Sequence, residues 1–146
     1  MFPAAESFTL KPPGERGPKK ESEDIMPKMQ SKNLSKPDEL RTFDHGKLEL
    51  ATLGGVTFGR ATLLPGWKWS TSLKALMKTK SCEAPHLQYH VSGRLAVLMD
   101  DGSQQDFGPG EISLLPPGHD AWVVGNEAVV VIDISGMVEY AKPHTR

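Results

Sequence analysis

Residues 86–123 read HLQYHVSGRLAVLMDDGSQQDFGPGEISLLPPGHDAWV. Short apolar runs stop at Gly93, at Asp100-Asp101-Gly102, at Gly108-Pro109-Gly110 and at Pro116-Pro117-Gly118. Runs of this length, rich in Val, Ile and Leu and bounded by Gly, Pro and Asp, read as β-strands. At Asp-Asp-Gly the glycine supplies the positive φ of a tight hairpin and the aspartates tolerate or cap it. AVLM and QQDF are therefore predicted to pair antiparallel. GPGEISLLPPG reads as a turn, a strand of about five residues and a second turn.

The same texture extends outward. KLELATL ends at Gly54-Gly55, and VTFGRATLL at Pro65-Gly66. Downstream, DAWVV ends at Gly125-Asn126 and AVVVIDI at Ser135-Gly136. Strands at this spacing predict an all-β sandwich or barrel. SLKALMKTK at 72–80 places its leucines and methionine on one helical face, but it is short, so helix, strand and loop stay open there.

The first 37 residues differ. They hold six of the twelve prolines and the charge-rich stretch KPPGERGPKKESEDIMPK. Such a segment buries too little apolar area to offset its ordering entropy. The expected organisation is a disordered tail at 1–37, one β domain at 38–141 and a short C-terminal tail at 142–146.

The 17 basic residues balance 18 acidic ones, which argues against a nucleic-acid partner. No apolar run approaches the roughly 20 residues of a membrane helix, so no membrane partner is expected. The N-terminus lacks a cationic stretch followed by an apolar one, so no secretory signal is expected. The lone cysteine, Cys82, fits a reducing compartment, and the expected location is cytoplasmic. No phosphate-binding GxxxxGK[ST] loop occurs.

The chemistry concentrates behind the turn at 116–118. Pro116 and Pro117 fix two φ angles, Gly118 permits a sharp turn, and His119 follows in a defined direction. Strand alternation puts His86, Gln88 and His90 on one face of their strand. It puts His119, Ala121 and Val123 on one face of theirs, with Asp120 and Trp122 on the other.

These residues resemble the cupin superfamily. YHVSGRLAVLM around Gly93 matches the end of the first cupin motif, and Gly110, Pro116, Gly118 and His119 match the order of the second. From PGWKWS to GHDAWVVGN the chain is similar to a group of small single-domain cupins with a GHDAW signature. The resemblance spans roughly residues 48–137. It implies a double-stranded β-helix, the cupin jelly-roll barrel, with a pocket at its open end.

The resemblance also implies a metal site of a His-x-His pair, a glutamate and a later histidine, and here the chain departs. His86 stands at the glutamate position. Counted from Gly66, the paired positions fall on Ser72 and Lys74; with a longer loop they fall near Lys80 and Cys82. His119 meets the later histidine if two residues are deleted after Gly118; otherwise Ala121 does. The implied ligands are His86 and His119 with Cys82 or His90, set against neutral core histidines and a small buried thiol. Imidazole and thiolate suit one divalent transition metal, Zn, Fe, Mn or Cu.

Asp120 would fix an imidazole tautomer or cap a turn. Trp67, Trp69, Lys74, Gln88 and Trp122 are the candidate pocket residues, with core or surface packing as the alternative. The expected function is binding of a small molecule in the barrel, as a metal-dependent oxygenase, isomerase or lyase, or as a non-catalytic sensing module with a degenerate metal site. A homodimer is expected from edge-strand pairing in such barrels.

Overall fold

Alternating apolar and polar residues favour extended chain wherever one face can be buried. The computed structural model describes residues 28–138 and 140–142. Among them lie nine strands: β1 (Glu39–Phe43), β2 (Gly46–Leu53), β3 (Val56–Leu63), β4 (His86–Ser92), β5 (Leu95–Met99), β6 (Gln104–Phe107), β7 (Ile112–Leu115), β8 (His119–Val123) and β9 (Val129–Ile134). Two helical turns form: α2 (Lys74–Met77) lies in the segment left open by the sequence, and α1 (Trp69–Ser72) precedes it, where the Trp67-x-Trp69 spacing reads as a strand. Neither has a side-chain N-cap, and tertiary packing of Trp69 and Leu73 holds them in place.

All ladders are antiparallel. Six strands form one sheet in the order β1-β2-β3-β9-β4-β7, and three form the other in the order β6-β5-β8. The predicted hairpin forms, with Val97 opposite Gln105 and Leu98 opposite Gln104. In β4 the inward residues His86, Gln88 and His90 are buried, and the alternate residues Leu87, Tyr89 and Val91 are exposed. The inner faces of both sheets meet in one apolar core, which includes Leu48, Leu63, Leu95, Val97, Val129 and Val131.

The compact unit begins at Ser31, ahead of the boundary expected at residue 38. Lys36 closes a turn onto Asn33, Arg60 donates to Ser35 Oγ at 3.1 Å, and Lys32 pairs with Asp38 at 2.8 Å. These polar contacts fix residues 32–38, where only Leu34 and Pro37 are even half-buried, which is why hydrophobic patterning did not register them. The rest of the expected tail, residues 1–27, lies outside the described residues, as do residues 143–146. Among the described residues no helix is long and apolar enough to cross a membrane.

Candidate metal centre and adjoining pocket

His86 opens β4 in the large sheet and His119 opens β8 in the small one. Their rings face each other across the interior, with centroids 5.6 Å apart. Cys82 joins them through the backbone. Its N–H donates to the His119 carbonyl at 2.7 Å, and its carbonyl accepts from Gly118 N at 2.7 Å. This bridge aligns the loop before β4 with the start of β8. Cys82 Sγ lies 3.8 Å from His86 Nε2, and the ligand atoms of Cys82, His86 and His119 all lie within 4.8 Å of one another.

Both rings are held in the tautomer that a metal ligand requires. A carbonyl only accepts, so His119 Nδ1–H donates to Pro116 O at 2.9 Å and leaves the Nε2 lone pair free. The turn at 116–118 thus supplies both the direction of His119 and its tautomer. Gly118 sits at φ 93°, and a Cβ there would lie 2.8 Å from Asp100 Oδ2. His86 Nδ1–H donates to Asp133 Oδ2 at 2.8 Å. Asp133 is fully buried on β9, and its other oxygen accepts from Gly136 N at 2.6 Å. This is the outer-shell pattern of metal-bound histidine.

Burial pushes the Cys82 thiol up to about 12, with nearby acidic groups adding to the effect and a hydrogen bond from the Ala84 backbone opposing it. Burial also lowers the pKa of His119, against the opposing pull of the Pro116 carbonyl. Both groups are therefore neutral at pH 7. The set of two imidazoles and one thiol matches a tetrahedral transition metal, whose bonds of ~2.0–2.3 Å separate its ligands by roughly 3.4–3.7 Å.

The other predicted residues separate into groups. Trp67, Trp69 and Gln88 line the same interior void as the three candidate ligands, together with Tyr140. The void has room for about one water molecule. The two indole N–H groups and Gln88 Oε1 have no hydrogen-bond partner among the described residues. Tyr140 packs edge-on against His86, with centroids 5.4 Å apart.

His90 does not join the cluster. It lies four residues beyond His86, about 13 Å along an extended strand. Its Nε2 pairs with Ser113 Oγ at 2.8 Å and its ring stacks on Phe107. Asp120 touches neither imidazole by a hydrogen bond; its Oδ1 accepts from the backbone N–H of Ser70 at 3.0 Å and of Ala121 at 2.9 Å, which anchors α1. Trp122 faces outward on β8, with Lys68 Nζ 5.2 Å from its ring centre. Lys74 is exposed on α2, and Ser72 lies on α1. Of the positions weighed for the paired ligands, Cys82 is the one that reaches the site.

Two contributors escaped sequence reasoning. Asp133 had a readable signal: Val129, Val131 and Asp133 share the inward face of AVVVIDI, and a buried carboxylate demands a partner. Tyr140 follows the last strand and had none. Arg41 holds that segment, donating to the carbonyls of Met137, Val138 and Tyr140.

The molecule is similar in structure to several solved proteins. A protein of unknown function from Rhizobium leguminosarum bv. viciae 3841 matches with a TM-score of 0.53 at 20% identity, over 80% of this chain and 99% of that one. A Cupin 2 conserved barrel domain protein from Salinispora arenicola CNS-205 matches at 0.52 and 14% identity, over 74% and 88%. The polyketide cyclase RemF from Streptomyces resistomycificus matches at 0.53 and 14% identity, over 74% and 79%. No family model matches the sequence, and no curated protein matches it. The fold is the jelly-roll barrel of the cupins. It carries a buried Cys-His-His group with the chemistry to hold a metal.

Proposed function

We propose that this protein is a small metal-dependent cupin of the GHDAW group, which binds one divalent transition metal at Cys82, His86 and His119 and acts on a small molecule. The observation that carries the proposal is the paired tautomer control. Pro116 O and Asp133 Oδ2 each accept a hydrogen bond from an Nδ1–H, so both Nε2 atoms keep a free lone pair beside Cys82 Sγ. Three protein ligands leave a coordination position open, as catalytic rather than structural sites do. A metal held there would supply Lewis acidity toward an oxygen-bearing group. The chain's own residues exclude bulk water and hold the ligand tautomers.

Within this proposal the working unit is a homodimer. β7 is an edge strand, and its outward residues Ile112 and Leu114 are 71% and 74% exposed. They continue into Tyr89 and Leu87 on β4, their register partners, and Ile134 on β9 adds to the same outward apolar face. A contiguous exposed apolar face of this kind marks a protein–protein contact surface.

Elemental analysis of the purified protein, beside a His86→Ala/His119→Ala double variant, tests the metal site. Near one equivalent of a transition metal in the native protein and less than a tenth of that in the variant is the expected result. A metal-free native protein that carries an organic compound by mass spectrometry would favour the sensing module instead.

A further inference from the structure

The interior void has room for about one water molecule, so a larger molecule reaches Cys82, His86 and His119 only where a wall moves. Most of the lining is fixed in paired strands: His86 and Gln88 on β4, Ala121 on β8, Val131 on β9. Trp67 is tied to β8 by its carbonyl, which accepts from Val123 N, and Cys82 by its backbone bridge to His119. Met137 and Tyr140 differ. They follow the last strand and belong to no ladder. A larger hollow of about 340 Å³ lies against the same segment, lined by Ser135, Gly136 and Val138, and it shares Trp69 and Cys82 with the void. Residues 135–138 and 140–141 therefore form a strap that faces the void with some side chains and the hollow with others.

We propose that this strap is a gate and that Arg41 is its latch: release of the Met137, Val138 and Tyr140 carbonyls lets Met137 and Tyr140 withdraw and joins the hollow to Cys82, His86 and His119. Arg41 lies on the edge strand β1 and donates to all three of those carbonyls. The near end of the strap is hinged separately, with Ser135 N bound to Thr57 O and Gly136 N to Asp133 Oδ1. Ser135 and Ala141, at the two ends, take φ 67° and 61°, a region that residues with a Cβ populate sparsely. Glu39 grips the same guanidinium at 2.8 and 3.1 Å. The cation thus keeps a partner when the carbonyls leave, and opening strands no unpaired charge. Burial of Met137 and Tyr140, 2% and 5% exposed, stabilises the closed state. A segment outside the ladders opens at lower cost than the barrel unfolds. The gate goes beyond the metal reading and does not rest on it, since it concerns access to the interior with or without an ion there.

Cys82 is a built-in reporter, because it is the chain's lone cysteine, lies in the shared wall and is 3% exposed. The experiment follows its reaction with dithionitrobenzoate, a bulky thiol reagent, in the EDTA-treated full chain across sub-denaturing urea. Local opening exposes little surface, so the wild-type rate is expected to depend only weakly on urea and to exceed the rate allowed by global unfolding. Arg41→Gln removes the latch and is expected to raise the rate by about tenfold or more, beyond any change in its global unfolding rate. Glu39→Gln sits on the same strand, removes the ion pair and spares the carbonyl bonds, so its rate stays near wild type. Wild-type labelling with the full urea dependence of unfolding, an unchanged rate in Arg41→Gln, or equal acceleration in Glu39→Gln would overturn the proposal. The last of these would assign the effect to a loosened β1. Metal content is measured on the same samples before EDTA treatment. A protein that never held metal and still shows Arg41-controlled labelling would therefore sink the metal centre and leave the gate standing.

Discussion

Cys82 and Asp133 control the site through proton inventory. The thiol is held near 12 by burial, and the thiolate is the ligand form, so metal uptake at neutral pH must release a proton. His119 has its pKa lowered and is already neutral above pH 7, so it adds no pH dependence there. Apparent metal affinity should consequently rise about tenfold per pH unit between pH 7 and 9. In Cys82→Ser that slope should flatten; competition with a chromophoric chelator across pH measures both. Asp133 acts on His86 from behind. Asp133→Asn weakens the acceptor that fixes Nδ1–H, and about 10- to 100-fold of metal affinity should be lost without unfolding. The same chelator assay, paired with circular dichroism, checks that separation. His86 and His119 were legible in the sequence because strand alternation and the rigid turn gave each a direction. Cys82 was not settled there, because its approach depends on a backbone bridge to a residue 37 positions later, which no local pattern encodes. His90 misled for the opposite reason. It shares the face of His86, but alternation fixes a side and not a depth.

The turn between β7 and β8 shows how one element converts local chain stiffness into site geometry. Pro116 and Pro117 restrict the exit from β7. Gly118 then takes φ 93°, outside the range of other residues. Its N–H is bound by the Cys82 carbonyl and its own carbonyl by Asp100 N, so the turn is stitched to two other segments. Gly118→Ala should cost about 2 kcal/mol, from the backbone conformation and from the close approach to Asp100. Urea unfolding measures this, and a loss below about 0.5 kcal/mol would mean that the turn relaxes freely. The strands, their turns and the β5–β6 hairpin were readable because each is written in neighbouring residues. β1 was not, since ELRTF buries little and owes its place to pairing with β2. α1 and α2 were equally opaque, because a backbone anchor from Asp120 and the burial of Trp69 and Leu73 decide their conformation.

At the scale of the whole molecule, the outer face of the large sheet is the feature that a solitary barrel does not explain. Charged residues or bulges usually blunt an edge strand, whereas β7 offers Ile112 and Leu114 to solvent. A second copy related by a two-fold axis would lay the same apolar face against itself and cover both edges at once. Sedimentation of the full chain at micromolar concentration should give twice the 16.0 kDa chain mass, and Ile112→Lys/Leu114→Lys should give the single-chain mass. Removal of residues 1–27 distinguishes the other candidate occupant. If that segment covers the face, the intact chain sediments as a monomer and the shortened one associates. If a second copy does, both chains sediment as dimers and only the lysine pair dissociates them. Because Leu87 and Leu114 point out while their neighbours His86 and Leu115 point in, the lysine pair should leave metal content unchanged. A loss of metal on dissociation would instead make the interface part of the site, with β4 transmitting the strain from its outer face to His86.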